Sequence, residues 1–218
     1  MKIKVVTQLL LKDLTQGLKE YGFEYIKSDK TFRRNILGFI QIFDLIFSKK
    51  NNNIFVEPTI RLKSLEIEKV YHNISRKESK YFDGTKTLGN NLFKIEEYFD
   101  KGLEIDLDDI KSYIVEEEAD ISILTKVISE KFKLYGLRYF DENSEIARID
   151  FLLNKHPREI SIHNWLYPLR ACLALIAAKL NKNEKFEELL QIYKEEMLNA
   201  AEPYNSEFKD LIVKILSD

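Results

Sequence analysis

Two runs of residue-by-residue alternation, separated by Asn51-Asn52-Asn53, limit what this chain can become. In the first, Phe39, Gln41, Phe43, Leu45 and Phe47 fall on one side of an extended strand, with Ile40, Ile42, Asp44, Ile46 and Ser48 on the other. In the second, Ile54, Val56, Pro58, Ile60 and Leu62 oppose Phe55, Glu57, Thr59, Arg61 and Lys63. Side chains on a strand alternate faces, so this pattern around a turn signal predicts an antiparallel hairpin with one buried face. That face needs a cover. The second half of the chain is patterned in helical period, which predicts an α+β fold: an N-terminal helix and an antiparallel meander packed against a C-terminal set of helices.

The remaining elements follow from period and punctuation. Residues 3–21 carry Val6, Leu9, Leu10, Leu14 and Leu18 at helical spacing and end at Gly22. Phe23–Lys27 and Thr31–Ile36 read as short paired strands around Ser28-Asp29-Lys30. Pro58 lacks a ladder donor, so its strand is expected to lie at an edge or carry a bulge there. Leu65–Tyr71 alternates like a strand, Lys86–Phe93 is a further strand candidate, and Leu103-Glu104-Ile105 another. Asp83-Gly84 and Gly89-Asn90-Asn91 read as turns. Asp108 is a plausible N-cap for a helix to Glu118, and Ile121, Leu124, Ile128 and Phe132 predict a second that stops near Gly136. Asn143 or Ser144 is expected to cap a short helix through Leu153. Helices are then expected over Ile162–Leu180, Glu184–Ala200 and Ser206–Leu216. Residues 165–200 resemble an αα-hairpin without a second copy at fixed spacing. No Gly/Ser/Pro-rich linker divides the chain, so we read 1–218 as one α+β domain, with sub-lobes at 1–106 and 107–218 as the alternative.

Composition bounds the function. The chain has 218 residues, enough to bury a core without staples, and 34 basic residues balance 36 acidic ones. With a net charge of -2 there is no global attraction to nucleic acid or an anionic membrane, and neither is expected as a partner. A single cysteine and no long apolar run read as a cytoplasmic protein. Abundant Lys, Asn and Ile resemble the usage of AT-rich bacteria.

Few residues carry chemistry. His72, His156 and His163 have no metal-ligand spacing and are expected to be structural or solvated. Cys172 lies inside an apolar helix and is expected to behave as a small hydrophobe. The acids Asp106, Asp108 and Asp109, then Glu116, Glu117, Glu118 and Asp120, suit helix N-termini, where each stabilises by about 0.3–1 kcal/mol. No metal or other cofactor is expected. Glu78-Ser79-Lys80, with Asp44 or Glu57 upstream, matches the acid and Glu-x-Lys set of some metal-dependent nucleases, which keeps a hydrolase reading open. Arg33 and Arg34, near Tyr21, Phe23, Tyr25 and Phe32, are binding candidates, although neighbours on a strand point to opposite faces. Trp165 is expected to be a buried anchor.

The order of a Leu10-to-Leu18 helix, Gly22-Phe23, Thr31-Phe32-Arg33-Arg34 and Phe39-Ile40-Gln41-Ile42-Phe43 resembles a bacterial domain family of unknown function. The likeness covers about residues 5–62 and the helical layout beyond. Phe47-Ser48-Lys49-Lys50 departs from the Gln and basic residue that follow the strand in that family. Members of the family resemble small cytoplasmic proteins found beside bacterial toxins, which implies an immunity or adaptor role by analogy. The expected function is therefore a non-enzymatic protein-binding module of the toxin-neutralising kind. Its partner would be a basic toxin domain met by Glu116, Glu117 and Glu118 in the acid-rich stretch 104–120, with Arg33 and Arg34 as further contacts. A metal-dependent nuclease and a small-ligand sensor with a pocket between sheet and helices are the alternatives.

Overall fold

The computed structural model describes residues 2–102 and 111–217. Helix α1 (Ile3–Lys19) leads into strands β1 (Glu24–Ile26), β2 (Thr31–Ile36), β3 (Phe39–Lys50) and β4 (Asn53–Ser64). There follow α2 (Leu65–His72), a 3-10 turn (Ser79–Gly84), β5 (Leu88–Asn91), α3 (Leu92–Lys101) and β6 (Tyr113–Val115). The remainder is helical: α4 (Ala119–Lys131), a π-helical turn (Phe132–Gly136), α5 (Leu137–Asn143), α6 (Ile146–Asn154), α7 (Tyr167–Leu180), α8 (Phe186–Glu196) and α9 (Tyr204–Ser217). The strands form one antiparallel meander in the order β1-β2-β3-β4-β5, with β6 also on β4, so the fold is α+β.

The alternation holds along β4 as far as Leu62 and only in part on β3, where Ile42 on the opposite face is buried as well. Ile54, Val56, Ile60 and Leu62 are fully buried, and on β3 Phe39, Gln41, Phe43 and Leu45 are buried while Ile46 is exposed. β6 pairs β4 only over Ile54–Val56. Pro58 shares the parity of Leu62, whose carbonyl accepts from the Thr87 N–H, and lies past the end of the β6 pairing. The strand therefore has a local edge at its one donorless residue.

The chain divides into two compact units, each built from two separated stretches: 1–61 with 90–141, and 62–89 with 142–218. In the first, α1 buries Val6, Leu10, Leu11, Leu14 and Leu18, and α4 buries Ile121, Leu124 and Ile128. Phe132 sits at the middle of an aromatic cluster, its ring 4.6 Å from Phe43 and 5.3 Å from Phe23, and Phe140 meets it edge-on at 6.3 Å. The second unit is organised around α7. Every residue from Arg170 to Ala178 on that helix is buried, as required of a helix packed against α2, α6, α8 and α9.

Several elements differ from the sequence expectation, each for a physical reason. Leu65–Tyr71 is helical, because the Ser64 hydroxyl accepts from the Ile67 N–H and caps α2, while Ile67, Glu68 and Tyr71 form its buried stripe. Gly89–Asn91 is strand rather than turn, and Asn91 caps α3 through the Phe93 N–H. Residues 113–115 pair with β4 instead of extending a helix to Glu118. The proposed strand Leu103-Glu104-Ile105 and the acids Asp106, Asp108 and Asp109 lie outside the described residues. Gly136 does not stop a helix: the chain passes through it in a π-helical turn into α5. Neither Asn143 nor Ser144 caps α6, which starts after the extended Glu145. α7 begins at Tyr167 rather than Ile162, with Pro168 in its first turn. The last two helices run over Phe186–Glu196 and Tyr204–Ser217. Trp165 is 61% exposed and anchors nothing. Among the described residues no helix is long and apolar enough to cross a membrane.

Candidate functional site

In the first unit, a groove of about 910 Å³ runs between α1 and the β1–β3 side of the sheet. Its helical wall is one face of α1: Ile3, Thr7, Leu11 and Thr15 recur every fourth residue, flanked by Lys4, Gln8 and Lys12. The two threonine hydroxyls donate to the helix's own carbonyls, Thr7 to Ile3 at 2.9 Å and Thr15 to Leu11 at 2.6 Å. Their polar atoms are thus spent on the backbone. The facing wall comes from Tyr25 on β1, Lys27, Asp29 and Lys30 in the following turn, and Asp44, Leu45 and Phe47 on β3. The turn is tight because Lys30 takes a left-handed conformation, φ 57°. Tyr25 lies 5.2 Å from the Phe32 ring, and burial pushes its hydroxyl pKa up, so it stays a protonated donor.

The electrostatics of the groove are one-sided. Asp29 is paired with Arg33, and Asp44 accepts from both Arg61 and the Thr59 hydroxyl. Among the described residues, Lys4, Lys12, Lys27 and Lys30 take part in no ion pair. Both carboxylates are neutralised and four ammonium groups are not, so the lining attracts anions. The walls beneath them are apolar, with Leu11 and Leu45 buried and Phe47 half-buried.

The residues singled out by sequence separate. Arg33 reaches the groove's end through Asp29 and also donates to Thr31 Oγ1 at 3.2 Å. Arg34 leaves in the opposite sense. Its guanidinium lies 5.0 Å from the Phe23 ring centroid and donates to Gln41 Oε1 at 2.6 Å, the Tyr21 carbonyl at 3.2 Å and Asp141 at 3.0 Å, which makes it a clamp inside its unit. Glu116, Glu117 and Glu118 are exposed and do not line the groove. Glu116 accepts from Asn53 at 3.1 Å, and the amides of Glu116 and Glu117 donate to Asp120, holding its carboxyl below the usual range.

The nuclease set has a different arrangement. Asp44 is engaged as above, while Glu78 and Lys80, in the second unit, pair with one another at 2.7 Å in solvent. Among the described residues no group of three or more His, Cys, Asp or Glu could hold a metal ion. In the second unit Glu68 is buried, accepting from Thr87 Oγ1 at 3.0 Å and Thr85 Oγ1 at 2.5 Å, and the His72 ring stacks on Phe82 at 3.8 Å. One nitrogen, His72 Nε2, faces both Glu68 (3.0 Å) and Thr85 (3.1 Å). A relay needs acid and nucleophile on opposite nitrogens, so the cluster reads as buried structural polarity. Cys172 is fully buried, and burial pushes its thiol pKa up, away from nucleophilic chemistry.

The helical pattern of Val6, Leu9, Leu10, Leu14 and Leu18 singles out the core face of α1 and assigns nothing to Lys4, Gln8 and Lys12. The available signal was their i, i+4 recurrence beside Leu11. No protein-family model, curated protein or solved structure matches the chain.

Proposed function

We propose that the protein is a non-enzymatic cytoplasmic binding module whose working surface is the groove along α1 and whose ligand is another protein. The observation that carries this reading is the pairing of an apolar floor with rims of lysine, both lining carboxylates being already neutralised. Protein interfaces combine these features, an apolar centre supplying affinity and charged edges supplying specificity and on-rate. The volume also falls within the range of small-ligand pockets, about 300–1,000 Å³. Such pockets enclose most of their ligand, whereas this groove lies open beside exposed lysines, which favours a polypeptide.

The test is affinity capture from the native host with the wild type and Gln8→Trp, an exposed wall position at which an indole fills the groove. A partner held by the wild type and lost by Gln8→Trp supports the reading. Capture of nothing, or of a partner that Gln8→Trp holds equally, overturns the groove as the working surface. Toxin neutralisation is one form of such binding, and a toxin with a basic surface would meet Glu116, Glu117 and Glu118 instead. A partner lost only when those three are reversed to Lys assigns that form.

A further inference from the structure

We infer that the α1 groove receives an acidic amphipathic helix of a partner protein. The inference rests on the groove being the binding surface and adds what fills it. Three observations carry it together. The α1 wall runs from Ile3 to Thr15, which at 1.5 Å per residue is about 18 Å, or just over three helical turns. The apolar floor of Leu11, Leu45, Phe47 and Tyr25 is bounded by lysines on both sides, Lys4 and Lys12 on α1, Lys27 and Lys30 on the hairpin. An amphipathic helix has the matching section: an apolar stripe with charged residues along each margin. Finally, the charge is of one sign, because Arg33 and Arg61 occupy the two aspartates.

The spacing makes the complementarity specific. Lys4 and Lys12 are eight residues apart, about 12 Å along the axis, or slightly more than two turns. Carboxylates seven or eight residues apart on one margin of the incoming helix fall opposite them. Lys27 and Lys30 take the acids of the other margin. A single-stranded nucleic acid would present comparable charge, but it needs successive aromatic platforms for its bases. The lining offers two rings, Tyr25 and Phe47, and its other apolar side chains, Ile3, Leu11 and Leu45, are aliphatic.

The experiment is a fluorescence-polarisation titration of the full chain with three labelled probes: a 14-residue helical peptide with a leucine stripe margined by Glu, the same peptide with Lys for every Glu, and a 12-nucleotide oligo-dT. The acidic peptide is expected to bind the wild type, to weaken by at least about tenfold in K4E/K12E, and to weaken further with added salt. The basic peptide is expected to show the reverse preference, and K133E, an exposed lysine outside the groove, is expected to bind as the wild type does. Equal binding of both peptides, or an acidic peptide indifferent to K4E/K12E, overturns the inference. Lysine-dependent binding of oligo-dT tighter than that of the acidic peptide overturns it in favour of nucleic acid. If Gln8→Trp abolishes partner capture while K4E/K12E leaves it intact, the groove is the binding surface and the acidic helix is not its occupant.

Discussion

The Tyr71 hydroxyl donates to the Glu207 carboxylate at 2.6 Å, joining α2 to α9 across 136 residues of sequence inside a buried site. The same carboxylate accepts from the Ser75 hydroxyl at 3.1 Å and the Arg76 amide at 2.5 Å, so one side chain satisfies three donors. Burial and the neighbouring carboxylate push the Tyr71 pKa well up, which keeps the donor protonated. Glu207→Ala leaves a buried hydroxyl and an amide without their acceptor. Each such loss costs about 1–3 kcal/mol, so the variant is expected to be about 3 kcal/mol less stable in urea denaturation, with Glu207→Gln intermediate. Stability unchanged in Glu207→Ala contradicts this account.

Gly136 closes the π-helical turn where no side chain fits. A Cβ there would stand 2.7 Å from Phe132 Cδ2 and 3.2 Å from Ile60 Cδ1, and Phe132 is held by Phe23 and Phe43. Gly136→Ala must displace the centre of the aromatic cluster. Overpacking of this kind costs about 1–3 kcal/mol, which outweighs the helix propensity that alanine gains. A thermal melt of Gly136→Ala at or above the wild-type midpoint contradicts it.

Trp165 stands exposed on a turn whose neighbours are fixed, since Asn164 donates to the Thr87 carbonyl at 3.2 Å and the His163 carbonyl accepts from Gly89. Trp165→Ala is expected to change stability by no more than about 0.5 kcal/mol, whereas Leu173→Ala, fully buried on α7, is expected to cost about 2–5 kcal/mol. Circular dichroism in denaturant checks both without relying on the indole. A loss above 2 kcal/mol in Trp165→Ala refutes the exposed placement.

These cases mark what the sequence made legible. Phe39–Leu62 was readable because two alternating runs around a turn signal point to a hairpin, and Arg170–Ala178 because a Leu- and Ala-rich apolar stretch of that length exceeds a buried strand and suits a helix. Leu65 and Ile67 misled because apolar residues at i and i+2 share a strand face, whereas the capping bond from Ser64 starts a helix that puts them on different sides, Ile67 buried and Leu65 exposed. Trp165 misled because hydrophobicity does not say which side of a turn faces outward. The groove was illegible for a stronger reason. It combines a secondary face of α1 with a hairpin, and each set of lysines taken alone has the composition of an ordinary wet surface.

The remaining histidine in the core makes stability depend on pH. His163 is 3% exposed, and burial, with the Arg148 charge adding to it, pushes its pKa down to about 3. In the unfolded chain the imidazole returns to about 6.5. Below that value the unfolded state takes up a proton that the folded state refuses, so stability is fully present above pH 6.5 and falls as pH drops toward 3. Between pH 6.5 and 5, before carboxylates begin to titrate, the loss from this one group is about 1.5–2 kcal/mol. Urea denaturation of the wild type across that window is expected to show the slope, and His163→Gln, which cannot titrate, is expected to flatten it whatever its own baseline stability. Nitrogen-detected NMR of the wild type gives an independent reading: the His163 ring is expected to remain neutral at pH 5, and an imidazolium signal there refutes the assignment.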